Sequence, residues 1–102
     1  MSNYTLKELQ KFVPLGLCVA RKRSDLTLDQ AAAEIGISSQ ALQKHEKGYN
    51  LPQLEVFLKE LTTYGLDFAS FHQLLLEVKV TQRVKALEKK VQALAEQLQQ
   101  EG

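Results

Sequence analysis

Between Leu26 and Gly48 the chain reads Leu-Thr-Leu-Asp-Gln-Ala-Ala-Ala-Glu-Ile-Gly-Ile-Ser-Ser-Gln-Ala-Leu-Gln-Lys-His-Glu-Lys-Gly. Its punctuation leaves room for little besides two short helices joined by a tight turn. Thr27 suits an N-cap, the helix it opens ends near Glu34, and Gly36 supplies a left-handed residue after it. Ser38 caps a second helix that ends near Lys47-Gly48. Small Ala32 lets the two helices approach closely, and Ile37 and Leu42 plug the angle between them. In such a unit the N-terminal side chains of the second helix stand exposed, at a scale that fits a major groove about 12 Å wide.

The rest of the sequence also reads as helix. β-branched residues are scattered and no stretch alternates apolar with polar, so the class is all-α. Thr5 caps a short first helix to about Phe12, with Leu6, Leu9 and Val13 on one side. Pro14 suits the first turn of a separate helix, where its missing N–H costs nothing. That helix runs to about Arg23 and breaks at Ser24-Asp25. Tyr49-Asn50-Leu51 is a loop. Pro52 opens a helix through Tyr64, closed by Gly65, and Asp67 caps the last helix.

From Phe68 to Gln100 nothing breaks a helix, which at about 1.5 Å per residue spans on the order of 50 Å. Its apolar pattern changes midway. Phe68, Phe71, Leu75 and Val78 form one stripe able to cover a globular domain. Val80, Val84, Leu87, Val91, Leu94 and Leu98 then alternate by four and three, the spacing of a coiled-coil seam. The phase shift predicts a bend, or a handover from one packing partner to another, near 78–82. Val84 and Val91 fall at position a and Leu87 and Leu94 at d, a choice that favours two parallel strands. Arg83 at g and Glu88 at the following e can pair across such a dimer. Antiparallel pairing or a tetramer stays open. The domains expected are a body over 1–67 and a long helix over 68–102.

Size and composition fit this plan. A chain of 102 residues, 44% hydrophobic and 25% charged, holds one compact domain plus an appendage. No apolar run approaches the roughly 18 residues that span a membrane. Met1-Ser2-Asn3-Tyr4-Thr5 lacks the order of a signal peptide, so the expected location is the cytoplasm. Cys18 is the lone cysteine, which excludes an intrachain disulfide and a cysteine metal cluster and reads as a small buried or half-buried residue. Neither His45 nor His72 has a metal-site partner, no cofactor motif is present, and no arrangement supports enzyme chemistry. The net charge is only +1, with eight Lys/Arg against eight Asp/Glu in 1–67 and five against four in 68–102. Any nucleic-acid reading therefore rests on where side chains are placed and not on bulk charge.

Residues 15–66 resemble the phage-repressor/Cro-like (Xre-type) helix-turn-helix family. Leu15-Gly16, Val19 and Arg21 match its first-helix pattern. Ala32, Gly36, Ile37, Ser38 and Leu42 match its turn. Glu46, Gly48 and Pro52 match its E-x-G-x-x-x-P ending. The resemblance implies a five-helix, lambda-repressor-like domain, here with an extra N-terminal helix and the long C-terminal coiled-coil helix. It places the base-reading side chains at Ser39, Gln40, Gln43 and Lys44. Gln pairs with adenine, Lys donates to guanine O6/N7, and Ser serves either. Ser38, Asn50, Lys22, Arg23 and Lys47 fall where phosphates would be met. Arg21 and Glu46 match a buried ion pair between the first and recognition helices. The sequence departs from the family at Leu28, where a phosphate-contacting Gln is usual; Gln30 points about 200° away from that position. It departs also at Ala31, where a large apolar residue is usual, and at His45, where an apolar or aromatic one is.

The implied function is a sequence-specific transcriptional regulator, a dimeric repressor of a palindromic operator that binds double-stranded DNA and itself. The alternative is a protein-interaction module, such as the antitoxin of a toxin–antitoxin pair, with the tail or N-terminal helix binding a partner protein. A third reading, a helical protein that has lost DNA binding, draws on Leu28 and the near-neutral charge.

Overall fold

The computed structural model describes residues 4–101, with side chains through residue 100. Met1-Ser2-Asn3, part of the signal-peptide reading, and Gly102, the end of the tail segment, lie outside the described residues. The architecture is all-α, in the order α1 (Leu6–Arg23), α2 (Leu28–Ile35), α3 (Ser39–Lys47), α4 (Leu54–Thr63) and α5 (Phe68–Glu101).

The starts and stops have local causes. Thr5 and Glu8 form a capping box: the Glu8 N–H donates to Thr5 Oγ1 at 3.1 Å and the Thr5 N–H to Glu8 Oε1 at 3.3 Å. Thr27 and Gln30 repeat it at the head of α2, at 3.1 and 3.0 Å. Ser38 Oγ accepts the Ala41 N–H at 3.1 Å, and Asp67 accepts the Ser70 N–H at 2.7 Å. Asp25, at φ 56°, turns the chain out of α1 in the left-handed region that Asp tolerates. Gly36, at φ 90°, ends α2 where any other side chain would strain the backbone.

Two boundaries differ from the sequence reading. The break at Pro14 does not occur: the N-terminal helix and the next are one helix, α1, with Pro14 inside it. Proline removes one helical hydrogen bond, and here its ring is buried, packing towards Gly48. The continuous helix buries Phe12, Gly16 and Leu17 along one length, and its first turn is held to α5 by the Glu8–Lys79 ion pair at 2.7 Å. Pro52 lies before α4, which starts at Leu54 with Gln53 as a cap lacking a side-chain bond. The long helix runs unbroken through the phase shift at 78–80, where Val78 is buried against the body and Val80 is exposed.

α1 packs against both α3 and α5, while α2 packs against α3 and α4. The core is Phe12, Leu17, Ala20, Ala31, Ala32, Ile35, Leu42, Leu61, Tyr64, Phe71, Leu74, Leu75 and Val78. Leu17 and Leu42 have no exposure at all, which removes about 1.5–3 kcal/mol of apolar surface from water for each. The α1–α5 contact depends on Gly16: a Cβ there would lie 3.1 Å from Leu75 Cδ2 and 3.3 Å from Phe71. Of the expected stripe on α5, Phe68 stays 61% exposed and Leu74 takes its place in the core.

Candidate nucleic-acid interface

α3 has two faces. Leu42, His45 and Glu46 turn into the body, while Gln40, Gln43, Lys44 and Lys47 are exposed. The exposed set runs i, i+3, i+4, i+7, which aligns it in one stripe along the helix. Among the described residues no partner competes for the donors and acceptors on that stripe, so the groove edge of a duplex is within their chemistry.

The inward face is fastened by charge as well as by packing. Arg21 clamps Glu46 in a two-pronged pair, Nε to Oε2 at 2.8 Å and Nη2 to Oε1 at 3.0 Å, and Nη1 donates to the Leu26 carbonyl at 2.8 Å. The two side chains are 11% and 6% exposed. The Glu46 carboxylate raises the Arg21 pKa despite burial. A buried, bidentate pair of this kind fixes the rotation of α3 about its own axis more surely than it adds stability.

A second polar tie was not read from the sequence. His45 Nδ1 lies 2.9 Å from Oε1 of Glu60 on α4, and the Glu60 side chain is wholly buried. Burial raises the Glu60 pKa, with His45 pulling the other way. Glu60 Oε2 and the Tyr64 hydroxyl, both buried, have no hydrogen-bond partner among the described residues. Burial likewise raises the Tyr64 phenol and the half-buried Cys18 thiol. His45, where an apolar residue is usual in the resembling family, is thus the α3 end of a polar strut to α4. Its signal in the sequence was the pairing of a polar residue at an inward position with a Glu at an inward position of the next helix.

The remaining predicted residues scatter more widely. Ser38 and Asn50 are exposed at the two ends of the α3 region. Ser39 is half-buried and donates its hydroxyl proton to Asp29 Oδ1 on α2. Arg23 is drawn to Glu77 of α5 at 3.2 Å, and Lys22 and Arg23 both line the groove between α1 and α5. Gln30 spends its side chain on the α2 cap, and Leu28 is half-buried against the core. Two residues escaped the sequence reading. Gln10 and Lys11 border the loop after α3, beside Lys47, Gly48 and Asn50. They arrive there only because α1 is continuous through Pro14.

A helix-turn-helix family model matches residues 20–71, half of the chain. The protein belongs to the Xre/Cro-like helix-turn-helix family. It is accordingly a DNA-binding transcription regulator. The matched span starts in the last turn of α1 and ends in the first of α5, so it holds α2, the turn, α3 and α4 whole. No curated protein and no solved structure matched the chain. Among the described residues no group of His, Cys, Asp and Glu could hold a metal, and no helix is long and apolar enough to cross a membrane.

Proposed function

We propose that this helix-turn-helix protein is a dimeric repressor that reads a palindromic operator with α3 in the major groove. The observation that carries the reading is the division of α3: one face locked by Leu42, Glu46 and His45, the other offering Gln40, Gln43 and Lys44. Ser39 reads beside them. Ser38, Lys47 and Asn50 meet the phosphates, joined by Lys22; Arg23 reaches them only by leaving Glu77. Gln10 and Lys11, which border the α3–α4 loop, extend that surface.

Pairing through the tail is supported by exposure. Val80, Val84, Leu87, Val91, Leu94 and Leu98 are between 46% and 69% exposed. An isolated helix with such a stripe gains nothing from it in water. Val78 and Val80 lie about 200° apart around α5, so the seam faces away from the body. Two chains paired in parallel along that seam would hold their bodies on opposite outer sides.

Titration of the protein against duplexes at moderate, stated salt tests the reading. Gln40→Ala and Lys44→Ala should each cost about 1–3 kcal/mol of preference for the operator over other sequences. Equal affinity for all duplexes would overturn it. A chain that sediments as a monomer at tens of micromolar would shift the tail's role to a partner protein, as in the antitoxin alternative.

A further inference from the structure

The reading stripe of α3 is flanked at its N-terminal end by a carboxylate from another helix. Asp29 sits in the first turn of α2, exposed, and accepts the hydroxyl proton of Ser39. A serine hydroxyl has one proton and two lone pairs, and either can face a base. With the proton spent on Asp29, the lone pairs are what remains. Asp29 is itself acceptor-only when ionised. The bond is charge-assisted, so it outcompetes a neutral partner for that proton.

In the major groove adenine and cytosine present exocyclic amino donors, whereas guanine and thymine present carbonyl acceptors at the corresponding edge. An acceptor-only hydroxyl pairs with the first two. Against the second two it sets lone pairs opposite lone pairs. Lys44, on the same stripe, is donor-only and has the reverse preference. We infer that Asp29 is a specificity-determining residue: it fixes Ser39 as a hydrogen-bond acceptor, so that the base opposite Ser39 carries an amino group, adenine or cytosine on that strand. The inference rests on the proposal that α3 reads base edges. Asp29 acts as a positioning residue through Ser39.

The test is a selection from a randomised duplex library with the full chain, read as the amino-to-keto ratio at each position of the enriched site. Wild type should favour adenine or cytosine about fivefold at one position of each half-site. Ser39→Ala should erase that preference at that position alone and so identify it. Asp29→Ala should do the same, because the freed hydroxyl can then donate. Asp29→Asn should retain the preference, since its amide oxygen still accepts the proton. Melting temperatures of the variants, expected close to wild type, exclude unfolding as the cause. If Asp29→Ala leaves the preference intact, or if no position responds to Ser39→Ala, the inference fails while the DNA-reading proposal stands. If wild type enriches no sequence, the DNA-reading proposal fails first and this one with it.

Discussion

The two halves of α5 are built from the same residue types on one unbroken helix, and they meet opposite fates. Phe71, Leu74, Leu75 and Val78 are 4–8% exposed, while Val80 through Leu98 along the seam are at least 46% exposed. The difference is not propensity. It is the presence of a neighbour: α1, opened by Gly16, lies over the first half, whereas none of the described residues covers the seam of the second. The body therefore carries its own stability, whereas the tail's apolar seam stays exposed.

The largest expected effect lies in the body. Glu46→Ala leaves Arg21 charged, buried and unpaired, and should cost about 3–5 kcal/mol in urea unfolding. Replacing both partners with apolar residues of similar size should recover most of that loss. If the single change costs under about 1 kcal/mol, the pair is solvated and does not orient α3.

Next is the direct contrast of leucines. Leu17→Ala in the body should cost about 2–5 kcal/mol at any protein concentration. Leu87→Ala in the tail should leave the body's unfolding unchanged in dilute solution and appear only as weaker self-association. A concentration-independent loss at Leu87 would mean that the seam packs within its own chain.

A smaller effect concerns pH. The raised pKa of buried Glu60 contributes stability that is full below the ordinary carboxylate range and is lost as pH rises through the raised value. Wild type should therefore lose ground to Glu60→Gln as pH increases. A gain with pH would show that the His45 contact outweighs burial. Smallest is Thr27→Ala, which removes one cap from α2 and should lower stability by about 1 kcal/mol.

What could be read from the sequence followed a rule. Features set by neighbours in the chain were legible: the caps at Thr27 and Ser38, the left-handed Gly36, the change of stripe between Val78 and Val80. The Arg21–Glu46 pair came from family resemblance, and the structure holds both of its prongs. Features set by distant packing were not legible. Pro14 signals a helix start locally, but burial of its ring and of Phe12 and Leu17 keeps α1 continuous. That continuity is what brings Gln10 beside Asn50 and Lys11 beside Lys47. The Asp29–Ser39 and His45–Glu60 contacts join residues of different helices, and only the angle between those helices brings them together.

The most direct test compares the intact chain with a Leu87→Lys/Leu94→Lys variant in selection from randomised duplexes at the same salt. The intact chain should enrich an inverted repeat whose half-sites lie about 34 Å apart, and the variant should enrich the same half-site singly and more weakly. An intact chain that enriches no sequence, or a variant that keeps the inverted repeat at full strength, would contradict a paired reader coupled through its tail.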